Sequence, residues 1–422
     1  MTALVGILNK RAAVMAADSA MTVVKNGNVK IYNTATKIFS LSKEHPVGVM
    51  IDSSMEFMGT PWDVIFKLYR DRKGGKEYKT LRGYVDGFLD FLRSEDYFSD
   101  EDSREDYFIT ELREFYDTVK DDAIEKYRDE MNERGEEVDP DEDGQWLPEI
   151  MKEILETFIT NCKGTEMNPE FKGYSIESMR KFTSEAFDSL MQICEEDGLP
   201  TDMRDLWERG FYAKLCHHCF PIYTELVFTG YGSDDIYPSL LSMKISGVID
   251  RRLRYYIDEE GAAIITNQNS SSICPFAQTD VMMSLMKGIS SQMRSHVYDC
   301  KISAIQETKQ KMMDAMKEAG ATEKMLRKVD NIDLTEVADN FDNSLNDFIH
   351  DNYVDGIFDA VDSFSIEEMA NMAESLISVT NLQRHISSTE ESVGGPVDVA
   401  VITRSEGFVW VKHKEWFNAA KG

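Results

Sequence analysis

Two short apolar runs open the chain. Residues 2–8 and 12–18 are almost wholly apolar and are joined by Asn9-Lys10-Arg11, which predicts two buried strands. Residues 21–41 predict two more strands around Asn26-Gly27, a dipeptide suited to a tight hairpin turn. Residues 47–52 predict another strand that ends at Ser53-Ser54. A helix is expected over about 55–70, stopped by Lys73-Gly74-Gly75.

Between residues 76 and 215 the apolar period lengthens. Leu81, Val85, Phe88, Leu89 and Leu92 share one helical face, and the segment predicts four to six helices. Strand patterning returns at 223–230, 240–245 and 247–249, with turn chemistry at Gly232-Ser233-Asp234-Asp235. A helix opens near Thr279 and runs through Val281, Leu285 and Ile289. Residues 295–363 read as helical, interrupted at Gly320 and near 330–333. Ser365, with Glu367 and Glu368 behind it, caps a helix that reaches about His385. Strands at 397–403 and 408–412 form a closing hairpin around Ser405-Glu406-Gly407.

Strands, helices, strands, helices, strands is the order of an α+β layered protein, not of a βαβ repeat. A core is expected from 1–75, 220–294 and 364–422, with helical insertions at 76–219 and 295–363. Composition narrows the function. With 76 acidic against 46 basic residues the net charge is −30, which argues against a nucleic-acid partner. No apolar run approaches the roughly 18 residues of a membrane span, and no basic segment leads into an apolar run at the start. Six cysteines without a secretory signal suggest reduced thiols, so a cytoplasmic protein that engages no membrane is expected.

The candidate chemistry lies in the first forty residues: Thr2-Ala3-Leu4-Val5-Gly6-Ile7, Ala16-Ala17-Asp18-Ser19 and Thr36-Lys37-Ile38. Removal of Met1, which the small Thr2 side chain favours, would make Thr2 the N-terminus. A free N-terminal threonine carries its own base, because the α-amine can take the hydroxyl proton. A nearby lysine ammonium keeps that amine neutral, and a carboxylate holds the lysine in place. Thr2, Asp18 and Lys37 thus form one expected catalytic unit.

These segments resemble the proteasome β-subunit branch of the N-terminal nucleophile hydrolases, in its bacterial form without a propeptide. Gly394-Gly395-Pro396-Val397-Asp398 resembles the Gly-Gly-x-Val-Asp strand near the family's C-terminus. The likeness covers roughly the first 70 and last 35 residues. It implies a four-layer αββα sandwich with helical insertions, and hydrolysis of a peptide or protein substrate through an acyl-enzyme on Thr2. It also implies a homo-oligomer. No cofactor or metal is expected, and the sequence leaves a partner ATPase undefined.

In the family a glycine before the first helix offers its N–H to the oxyanion, and the matching residue is Ser53. A backbone donor does not need a particular side chain, but glycine adopts angles that serine resists. Thr22 and Met55 match residues that line the substrate cleft, with Met55 implying an apolar, adaptable pocket. The chain departs from the family twice. Residues 274–280 lack a supporting Gly-Ser-Gly turn, and Glu391 or Ser392 would have to replace an Asp and a Ser before the Gly-Gly strand. A non-catalytic scaffold and an enzyme that passes its acyl group to an amine are the alternatives.

Two motifs have blander readings. Cys216-His217-His218-Cys219 has no second cysteine pair to complete a zinc site and reads as buried helix. Asp139-Pro140-Asp141-Glu142-Asp143-Gly144 begins like a calcium loop but has Ile150 where a bidentate Glu is needed. There is no glycine-rich phosphate loop and no Gly-x-Ser-x-Gly elbow.

Overall fold

Fourteen strands and twelve α-helices make up the described residues, which are 2–25, 28–94, 101–134, 146–220, 222–387 and 394–414 of the computed structural model. The strands are β1 (Ala3–Asn9), β2 (Ala13–Ala17), β3 (Met21–Lys25), β4 (Asn28–Tyr32), β5 (Ile38–Ser40), β6 (Val47–Ser53), β7 (Glu56–Phe57) and β8 (Thr60–Pro61). They continue with β9 (Thr224–Gly230), β10 (Ser239–Ile249), β11 (Arg252–Ile264), β12 (Ser271–Ala277), β13 (Asp398–Thr403) and β14 (Gly407–Lys412). The helices are α1 (Trp62–Arg72), α2 (Leu81–Ser94), α3 (Glu101–Arg134), α4 (Trp146–Lys163), α5 (Ile176–Glu196) and α6 (Arg204–Cys216). The rest are α7 (Thr279–Lys287), α8 (Ser291–Glu318), α9 (Glu323–Asp330), α10 (Thr335–Ile349), α11 (Asp355–Ser363) and α12 (Ile366–Ser387). The protein is therefore α+β with antiparallel sheets, and it forms two compact units.

The first unit comprises Met1–Ile38, Ile236–Ser239 and Ala263–Gly422. Its five-stranded sheet has the order β12-β1-β2-β13-β14, and every neighbouring pair is antiparallel. Ala3, Val5 and Ile7 of β1 join Val14, Ala16, Val399 and Val401 in a core closed by residues of α7, α11 and α12. All seven residues of β1 and all five of β2 are buried. Burial on both faces explains why these strands read as continuous apolar runs instead of alternating ones. Each of the fully buried Leu4, Val5, Ile7 and Leu8 side chains contributes about 1.5–3 kcal/mol.

The second unit comprises Phe39–Asp235 and Leu240–Ala262. Its sheet has the order β11-β10-β9-β6-β5. Val47, Val49 and Ile51 of β6 pack with Trp62, Phe66 and Tyr69 of α1 and Phe88 of α2. A separate core forms among α3–α6 around Phe115, Trp207 and Phe211. The five helices described between 76 and 219 match the four to six expected.

The helix expected from residue 55 begins instead at Trp62, behind a small hairpin of β7 and β8. Met58 (φ 49°) and Gly59 (φ 74°) are both left-handed, the twist that a two-residue hairpin requires. Beyond residue 249 the sequence pattern gave no further strand before the helix near Thr279, whereas β11 and β12 are both present. Their omission has a physical cause. The β10–β11 turn is Asp250 (φ 47°) and Arg251 (φ 61°), and Arg is not a residue that marks such turns. The strand β12 contains Pro275, which is tolerated because β12 is a sheet edge.

Candidate active site

Three predicted residues meet inside the first unit. Thr2 lies immediately before β1, Asp18 immediately after β2, and Lys37 just before β5. The antiparallel register sets Leu4 opposite Ala17, so the start of β1 lies beside the end of β2. Asp18 N–H donates to Ala3 O at 3.1 Å and Ala3 N–H donates to Asp18 Oδ1 at 3.0 Å. This reciprocal pair fixes the carboxylate next to Thr2.

Lys37 Nζ then donates to both partners, at 2.7 Å to Asp18 Oδ1 and 2.9 Å to Thr2 Oγ1. Asp18 is 0% exposed, Lys37 1% and Thr2 8%. A buried ion pair is tolerated only when its remaining polar atoms are satisfied. Here the second carboxylate oxygen, Asp18 Oδ2, accepts Ala20 N–H at 3.1 Å and Gly394 N–H at 3.2 Å. Because Lys37 occupies a lone pair of Oγ1 as donor, the threonine hydroxyl proton is left to point elsewhere. An ammonium in this position can stabilise negative charge on that oxygen.

The Gly394-Gly395 segment closes over this carboxylate. Gly394 O accepts Ser19 N–H at 3.2 Å, and Ser19 Oγ donates to Pro396 O at 2.7 Å. Gly395 has φ 78°, and a Cβ there would approach Asn33 Cβ to 2.9 Å, so a side chain is excluded on both counts.

A second layer was not anticipated from sequence. Asp398, 1% exposed on β13, accepts Lys414 N–H at 3.0 Å and Lys414 Nζ at 2.5 Å. Lys414 Nζ also donates to Ser19 Oγ at 2.8 Å and Ala35 O at 2.6 Å. This ties the segment around β13 and β14 to Ser19, between β2 and β3, and to Ala35, between β4 and β5. The available signal was an Asp flanked by Val397 and Val399, a polar residue in a strand that must bury it. In place of a Gly-Ser-Gly turn, β12 runs antiparallel to β1 as far as Ala277, and Gln278 N–H donates to Thr2 O at 3.3 Å.

Ser53 and Met55 belong to the second unit. Ser53 ends β6 opposite Thr224 and has φ 69°, the left-handed backbone that glycine adopts freely and serine rarely does. Met55 is partly buried against the α1–α2 core, and its carbonyl accepts Trp62 N–H at 3.1 Å. Thr22 lies on β3 opposite Ile31. Met1, Glu391, Ser392 and residues 139–144 fall outside the described residues.

Among the described residues no group of three His, Cys, Asp or Glu side chains is arranged to hold a metal ion, and no helix is long and apolar enough to cross a membrane. Of Cys216-His217-His218-Cys219, expected as buried helix, only Cys216 closes α6 and is fully buried; the other three lie beyond the helix and are partly buried. No known protein-family model matches this chain, and no curated protein is similar to it.

Proposed function

We propose that this chain is an N-terminal threonine hydrolase of the proteasome β-subunit type that cleaves amide bonds, most simply peptide bonds. The reading includes a four-layer αββα sandwich, a cytoplasmic location and assembly into a homo-oligomer. The observation that carries it is the Lys37 ammonium held between Thr2 Oγ1 and Asp18 Oδ1.

While Met1 is attached, the Thr2 nitrogen is an amide and cannot act as a base. Removing Met1 converts it to an amine next to the hydroxyl. Thr2 Oγ then attacks the amide carbonyl carbon, and the hydroxyl proton passes to the α-amine. The C–N bond breaks as that proton reaches the leaving nitrogen, which leaves an ester on Thr2. Water, deprotonated by the same amine, attacks the ester and restores the hydroxyl. Lys37 stabilises the nucleophilic oxygen, Asp18 holds Lys37, and the Ser53 N–H is assigned to the oxyanion. Thr22 and Met55 are assigned to the substrate cleft.

Intact mass of the natively expressed protein should show loss of Met1. Incubation with a β-lactone should then add one acyl group at Thr2, and none in Thr2→Ala. Retained Met1, or an unlabelled Thr2 in folded protein, would overturn the reading and favour a scaffold.

A further inference from the structure

The second helical insertion, in the first unit, has almost no core of its own. Helix α8 has 28 residues and buries only Lys301, α9 buries none of its 8, and α10 buries only Ile349 of its 15. Arg294 Nη2 donates to Asn346 Oδ1 at 2.6 Å, Lys301 Nζ to Asp342 Oδ2 at 2.6 Å, and Lys309 Nζ to the Asp330 carbonyl. Numbers rise on one side of these contacts as they fall on the other, so α9 and α10 run back along α8 as a helical hairpin. Ordering helices costs conformational entropy that buried apolar surface normally offsets, and this hairpin by itself buries very little.

Its apolar surface faces outward. Val337, Phe341 and Phe348 on α10 are 46%, 54% and 57% exposed in the order Phe341, Val337, Phe348. With Ser344 they recur in steps of four, three and four residues, the spacing of a helix–helix seam. At 3.6 residues per turn the four fall within about 60° of one another, away from Asp342 and Asn346, which face α8.

Charge says what can cover this seam. Glu336, Asp339 and Asp347 rim it, and residues 335–349 contain no Lys or Arg. Two such seams laid together would oppose carboxylate to carboxylate. The short helix α9 has the opposite character: Lys324, Arg327 and Lys328 flank the exposed Met325, in a chain whose net charge is −30.

We propose that the α8–α10 hairpin is an interface between two copies of this chain, in which α9 of each copy lies on the α10 seam of the other. Each copy supplies one basic and one acidic half, so a twofold axis makes the contact self-complementary. Met325 then meets Val337, Phe341 and Phe348, and lysines meet the carboxylates of the rim. This gives the proposed homo-oligomer a surface; it rests on that reading for assembly and not for the chemistry at Thr2.

The test measures the mass of the full-length protein in solution by sedimentation velocity at micromolar concentration. All substituted side chains are exposed, and circular dichroism checks that each variant keeps its helices. Three double variants should each halve the mass of the wild-type assembly: Phe341→Glu with Phe348→Glu, Lys324→Glu with Lys328→Glu, and Glu336→Lys with Asp339→Lys. Mixing the last two should restore it, because an acidic α9 then meets a basic α10 and a basic α9 meets an acidic α10. A single-chain mass for the wild type would overturn the proposal. So would a wild-type assembly whose mass none of the variants changes, which would leave a homo-oligomer built on another surface. Dissociated charge variants that do not recombine on mixing would overturn the pairing of α9 with α10. Labelling of Thr2 by a β-lactone in the same samples reports on the hydrolase reading separately.

Discussion

Each unit buries a lysine against a carboxylate, but the two lysines end on different chemistry. In the first unit Lys37 spans Asp18 and a hydroxyl. In the second, Lys214 Nζ contacts Glu111 Oε2 at 2.7 Å and donates to the Glu111 carbonyl at 2.9 Å. Arg254 closes that cluster on the carbonyls of Lys214 and Cys219, and Tyr107 OH and Ser246 Oγ cap Glu111 Oε1 at 3.0 and 3.4 Å. The Lys214 ammonium also lies over the rings of Phe211 and Phe115. Burial and pairing are therefore common to both clusters and do not by themselves mark a catalytic site. What distinguishes the first is that its cation also ends on a hydroxyl, Thr2 Oγ1, the nucleophile of the proposed reaction.

Substitution of each lysine by Met should separate the two roles. Lys37→Met removes the cation paired with the buried Asp18 carboxylate and should cost about 3–5 kcal/mol in denaturant unfolding, whereas Lys214→Met should cost less because Glu111 keeps Arg254. Only Lys37→Met should also lower the rate of β-lactone labelling at Thr2, by at least about 100-fold, the scale of losing one preorganised electrostatic donor. Equal labelling rates in folded Lys37→Met and Lys214→Met would erase the distinction.

Acid sharpens the comparison next. Burial opposes ionisation of Glu111, but the Arg254 and Lys214 charges outweigh it and hold its carboxyl below the ordinary value of 4.5. The folded state thus favours the ionised form. Its contribution is fully present above pH 4.5 and is lost as pH falls through the lower folded value. The stability gap between wild type and Glu111→Gln should narrow below pH 4.5 in paired denaturant curves, by about 1.4 kcal/mol for each unit of pKa depression. A gap independent of pH would mean that Glu111 is not ionised in the folded protein.

The smallest effect concerns Ser53. Its left-handed backbone costs a non-glycine residue about 1–2 kcal/mol. Ser53→Gly should fold with stability within about 1 kcal/mol of wild type and keep its labelling rate, since relief of strain is offset by the entropy of a freer unfolded chain. Ser53→Val should melt lower, because a β-branched residue suits that conformation least. A fully stable Ser53→Val would show that the site tolerates an extended backbone.

Legibility along the chain followed the range of the interactions. The apolar runs of β1 and β2 were readable because burial on both faces leaves no alternation to interpret. The helical stretch of α2 was readable because Leu81, Val85, Phe88 and Leu92 repeat at one period. The β10–β11 turn was not, because Asp250-Arg251 takes a left-handed path that its residue types do not advertise. Nor was Lys414, whose bonds to Ser19 and Ala35 join residues nearly the whole chain apart.

The sequence by itself determined the α+β order, the buried strands at the start and the choice of Thr2, Asp18 and Lys37 as chemistry-bearing residues, because periodicity and residue type are local properties. Only the tertiary structure decided that one ammonium reaches both Thr2 and Asp18, that Gly394 seals the same carboxylate and that Ser53 holds a glycine-like backbone. Those outcomes depend on strand register and on contacts across 15 to 376 residues of chain, which no local pattern encodes.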